Sequence, residues 1–156
     1  MSFLRFLMFL ALVVWLGGVI FFPVVAASAF SVLPTRHLAG SLVSRSLGIL
    51  HWMGIVSALL FLAASMLYCR LSTGSAHPLA ARHLLIVLML ALTLVSQFAV
   101  TPKMAALRTS MGEIDAVPAN DPTRMKFDGL HQWSTRLEGG VLVIGIVVLY
   151  LTARSV

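Results

Sequence analysis

The chain is built of long apolar runs separated by short polar punctuation. Uncharged runs extend from Phe6 to Phe30, from Leu47 to Cys69 and from Leu84 to Val100. A fourth is purely apolar only from Val141 to Leu151. A bilayer core needs about 20 apolar residues per helix. The first three runs come close to or exceed that length. The fourth must reach back to about Trp133, which takes Arg136 and Glu138 inside the span. The pattern predicts an all-α integral membrane four-helix bundle in one domain over 1–156, with helices over about 4–32, 38–70, 79–101 and 122–154.

The punctuation agrees with that division. Leu33-Pro34-Thr35 ends the first helix, and Ser72-Thr73-Gly74-Ser75 separates the second from the third. Pro78 suits the first turn of the third, and Asp121-Pro122 reads as an N-cap followed by an N1 proline opening the fourth. Thr101-Pro102 breaks the third. Beyond it Met104, Leu107, Met111 and Ile114 recur at helical spacing, which predicts a short amphipathic helix over about 102–115 lying in the interface. Pro23 inside the first helix removes a backbone bond and predicts a kink. Gly17-Gly18 and Gly139-Gly140 predict close helix approach. The first run is longer than a signal-peptide core of about 7–15 residues and reads as a retained anchor.

Composition sharpens the picture. Hydrophobic residues make up 60% of the 156 and charged ones 10%, with a mean hydropathy of +1.00. A soluble domain has about 45–50% and about 25%. That excludes a soluble enzyme or a disordered chain, and the single Cys69 excludes an internal disulfide. The net charge of +6 does not read as a nucleic-acid footprint, because the eleven Lys and Arg are scattered between apolar runs rather than clustered. They fit helix ends facing anionic head groups of the lipid bilayer. Four spans put both termini on one side, with Arg5, Arg70, Arg82 and Arg154 and no acid. The short, purely basic connection between helices 2 and 3 places that side inside. The expected host is a bacterial-type inner membrane.

Ionisable groups within a span are costly and mark functional candidates. His51, His131, Arg136 and Glu138 stand out. His51 is nineteen residues before Arg70 and His131 is twenty-three before Arg154, on helices that run in the same direction. At ~1.5 Å per residue the depths differ by about 6 Å. Two imidazoles at similar depth are what a b-type haem takes as axial ligands. Gly48, Gly54, Ser57 and Ala58 offer space beside His51, and Arg45 offers a cation for a propionate. Copper is the alternative, with His51, His131 and the soft donors Met53, Met104 and Met111. His131, Ser134 and Glu138 share one face of the fourth helix as a polar stripe, either a proton path or an internal hydrogen-bond network. Arg136 cannot face Glu138 on one helix, which leaves Gln97 or a ligand anion as its partner. Glu138 is expected to be protonated or hydrogen-bonded to another helix. His37, His77 and His83 read as solvated or head-group contacts.

Trp15-Leu16-Gly17-Gly18 with Phe21, Leu33-Pro34 and then His51, Thr101-Pro102 with Met104, and Asp121-Pro122 with Phe127 and Leu130-His131 follow one another along the chain. In that order they resemble the transmembrane protein 205-like family of small four-helix membrane proteins. That family is distantly similar to the copper-resistance D type and to the haem-dependent membrane protoporphyrinogen oxidase type. The resemblance implies a haem or metal role by analogy, with His51 and His131 at the matching positions. The leading expectation is therefore a haem-binding membrane protein with an electron-transfer or redox role. The alternatives are a non-enzymatic accessory subunit of a larger membrane assembly or homo-oligomer, and a small copper-handling transporter.

Overall fold

The computed structural model describes residues 1–155. Its elements are α1 (Ser2–Val32), α2 (Arg36–Thr73), α3 (Ala81–Val95), a π turn (Ser96–Val100), α4 (Thr101–Met111), a 3-10 turn (Ile114–Ala116) and α5 (Pro122–Ser155). Four helical stretches are long and apolar enough to cross a membrane: Ser2–Val32, Arg36–Thr73, Ala81–Met111 and Pro122–Ser155. The protein is a multi-pass integral membrane protein of the all-α, four-helix type.

Local chemistry sets most of the boundaries. Thr35 caps α2 by accepting a bond from the Leu38 amide at 3.2 Å. Gly74 closes the same helix at φ 80°, a left-handed conformation that glycine reaches without steric cost. Asp121 caps α5, its carboxylate accepting from the amides of Thr123 and Arg124 at 2.7 and 3.3 Å. Pro78 lies in the turn ahead of α3 rather than in its first turn. α1 runs unbroken through Pro23.

The third span differs from expectation. It does not stop at Thr101-Pro102 but continues to Met111 through the π turn, as one stretch of 31 residues. Proline cannot donate to the helix ladder, and its ring pushes on the carbonyl four residues back. Here Pro102 sits at the very start of α4, directly after a widened turn in which the Thr101 amide reaches Ser96. One helix therefore carries the proline without ending. The apolar stripe expected to lie in the interface packs instead on α5: Met104, Leu107, Met111 and Ile114 cluster with Val100, Phe127, Leu130 and Leu137.

α1 packs mainly on α2, and α3 mainly on α5. Trp15, Met8 and Leu12 of α1, Phe61 of α2, Ile86 and Met89 of α3, and Val141 and Val148 of α5 form the core. Within a bilayer lipid tails are as apolar as leucine, so close packing rather than water exclusion holds helices together. Gly54 shows how: a Cβ there would come 2.5 Å from Trp15 Nε1, so the missing side chain is what lets the indole seat against α2. Outward, Val13, Ile20, Val56, Leu59, Val143 and Ile146 are exposed, an apolar coat suited to lipid.

Candidate functional site

Three polar side chains from three spans meet in the bundle. His51 of α2 is buried, with 1% exposure. Its Nδ1 lies 2.7 Å from Gln97 Oε1 in the π turn, and its Nε2 lies 2.8 Å from Glu138 Oε1 on α5. The depths agree from each helix's own end. His51 is fifteen residues after the start of α2, and Glu138 is sixteen after the start of α5. Both are therefore about 23 Å along their helices.

The π turn explains Gln97. A π insertion adds one residue to an α-helix and rephases the faces on either side by about 100°. This allows α3 to keep Ile86, Met89 and Thr93 inward while Gln97 still meets His51, and lets α4 turn Met104 toward α5. Ser96 and Thr101 bracket the turn, and their hydroxyls are buried without a protein partner among the described residues.

Hydrogen-bond bookkeeping constrains the protons. With Gln97 presenting its oxygen, Nδ1 must donate. Nε2 then either accepts from a protonated Glu138 or, on an imidazolium, donates to its carboxylate. Both forms have no net charge, the condition that a low-dielectric interior favours.

The other expected site residues lie elsewhere. His131 is exposed, seven residues before Glu138 and so about 10 Å nearer the start of α5. It lines a cavity with His37, Arg36 and Arg108 and is not brought to His51. Ser134 is buried between the two on the same face of α5. Arg45 is exposed on α2. Arg136 takes neither Gln97 nor Glu138: it is exposed, with its guanidinium 5.8 Å from the Trp133 ring centre.

A bis-histidine haem does not fit this arrangement. Both nitrogens of His51 are engaged, His131 is two turns away, and the space at Gly54 is filled by Trp15. Copper fares no better, since Met53 is exposed and Met104 belongs to the separate apolar cluster against α5. Among the described residues no group of three or more His, Cys, Asp or Glu comes together.

At the opposite end of the bundle the sequence reading missed two polar contacts. His83 is not solvated but 1% exposed, with Nε2 at 2.8 Å from Ser65 Oγ and Nδ1 at 3.0 Å from the His77 carbonyl. Arg82 donates to Cys69 Sγ at 2.8 Å. The signal was present: both Arg82 and His83 begin α3, beside the connection that folds them back onto α2. His77 stays exposed, and His37 Nδ1 donates to the Gly112 carbonyl at 3.0 Å.

No curated protein and no solved structure matches the chain. The family described as domain of unknown function (DUF4149) matches residues 10–113, a stretch that includes His51 and Gln97 and ends ahead of Glu138. With two thirds of its length matched, the chain belongs to the DUF4149 family.

Proposed function

We propose that this membrane protein carries protons, with His51 and Glu138 as the proton-binding pair. The observation that carries the reading is the clamp on His51, whose two ring nitrogens face Gln97 and Glu138 inside the bundle. Histidine is the side chain best suited to gain and lose a proton, and buried ionisable groups in spans mark proton relays in pumps and transporters.

Two states differ by one proton. In the loaded state a proton lies between Nε2 and Glu138, and Nδ1 donates to the Gln97 oxygen. In the released state one imidazole proton remains, on Nε2, and donates to the Glu138 carboxylate. Nδ1 is then an acceptor, and the Gln97 amide rotates to offer its NH2 group. Gln97 thus follows the charge of the pair without carrying charge itself. Ser134 and His131, on the face of α5 that bears Glu138, lead toward the Arg36, Arg108 and His37 cavity at the end of the bundle.

The test is proton flux in sealed vesicles. Purified protein is reconstituted with a pH-sensitive dye inside, and a potassium diffusion potential is imposed with valinomycin. Wild-type vesicles should acidify or alkalinise faster than protein-free ones, and His51→Ala and Glu138→Gln should return the rate to that baseline. Wild-type flux equal to the protein-free rate would overturn the reading and favour an accessory subunit of a larger assembly.

A further inference from the structure

At the end of the bundle where α1 stops and α2 and α5 begin, a cavity of about 220 Å³ opens between helices. Its charged lining is Arg36, Arg108 and Arg124, with Asp128 as the one carboxylate and His37 and His131 beside them. Arg36 is accounted for by Asp115, at 3.2 Å on an exposed surface. Arg108 and Arg124 make no ion pair among the described residues.

Both unpaired guanidiniums are held in place. Arg108 lies over the Phe127 ring at 5.5 Å, and Gly40 leaves the room it occupies, since a Cβ there would come 3.3 Å from its Nε. Arg124 donates through one terminal nitrogen to the carbonyls of Ile114 and Val117. Its Nε is buried without a partner. Positioned cations without a counter-charge, on two different helices, suit an anion with several oxygens. A carboxylate has two coplanar oxygens and is satisfied by one guanidinium fork. A phosphate group presents more oxygens in three dimensions and can engage two forks and an imidazole at once.

The geometry points to a phosphate-binding site in this cavity, formed by Arg108 and Arg124 with His131 alongside. It stands independently of the proton reading, which rests on His51 and Glu138. The apolar part of the lining, Phe30, Val43 and Phe127, gives room for the hydrocarbon end of an amphiphile. The phosphate can therefore come from a lipid head group or from a solute.

Detergent-purified full-length protein is titrated separately with inorganic phosphate and with short-chain phosphatidylglycerol, following thermal melting. Short-chain phosphatidylcholine serves to isolate the effect of net negative charge. Saturable stabilisation by inorganic phosphate identifies a solute site, and by phosphatidylglycerol alone a head-group site; either supports the assignment. Arg108→Gln should weaken binding about tenfold, the loss of one charge-assisted contact. Lys103→Gln, an exposed cation on the same helix outside the cavity, should leave it unchanged. Asp128→Asn should tighten binding about threefold by removing the only carboxylate in the lining, a gain that misfolding cannot imitate. No saturable effect from either anionic probe, or equal tightness after Arg108→Gln, would overturn the proposal.

Discussion

Glu138 of α5 and His51 of α2 meet at 2.8 Å across the bundle, with 16% of the carboxylate side chain and 1% of the imidazole exposed. Removing one partner of such a pair strands the other. His51→Ala leaves both Glu138 and Gln97 without their shared partner and should cost about 2–4 kcal/mol. Glu138→Gln keeps an amide to donate to Nε2 and should cost less than about 1 kcal/mol. Denaturation of the purified variants in detergent measures both. Equal losses would mean that the charge, rather than the hydrogen bond, holds the contact.

The seating of Trp15 against Gly54 makes a second prediction. An added methyl at 54 meets a rigid indole edge, not the flexible end of a chain. Gly54→Ala should destabilise by about 1–3 kcal/mol through overpacking. Gly139, where a Cβ meets nothing within 4 Å, provides the contrast. Gly139→Ala should be neutral or stabilise by up to about 1 kcal/mol, because alanine is the better helix former. Thermal melting of the two variants side by side decides it.

Asp121 predicts a pH effect at one helix end. The Thr123 and Arg124 amides hold its carboxyl below the usual aspartate range. A depressed folded value means that the cap contributes above the unfolded value of about 3.9 and is lost as pH falls through the lower, folded one. Hydrogen exchange at the Thr123 amide should therefore accelerate specifically below about pH 4. In Asp121→Asn, that acid-specific step should vanish, leaving only the ordinary pH dependence of exchange.

The histidine geometry predicts an optical result. Detergent-purified protein should show no low-spin haem spectrum that depends on both His51 and His131. A Soret band lost in His51→Ala and again in His131→Ala would mean that the two helices slide by about 10 Å to bring the rings together.

The spans were legible because bilayer thickness imposes a length on apolar runs, and caps such as Thr35, Gly74 and Asp121 carry their own chemistry. Each member of the polar site was visible as an intramembrane polar residue; their pairing was not. Depth counted back from Arg70 and Arg154 favours Glu138, sixteen residues before Arg154, over His131 as the match for His51, nineteen before Arg70. The ligand logic of paired imidazoles obscured that. Gln97 was beyond reach for another reason. Its direction depends on a π turn, and apolar periodicity assumes 3.6 residues per turn throughout. Pro102 read as a stop because the same assumption gives it no way to stay inside a helix.

That turn makes the third span intolerant of a change in length rather than in chemistry. Deleting any one residue between 96 and 100 would restore a regular spiral, which on backbone grounds alone is the more comfortable structure. Yet everything beyond the deletion would swing by about 100° relative to what precedes it. Either Gln97 would leave the imidazole or Met104 would leave α5, and no side-chain replacement could repair both. The irregular turn acts as a phase adapter between two surfaces that an ideal helix cannot present together. In aligned sequences of this region, gaps should therefore be rarer than substitutions.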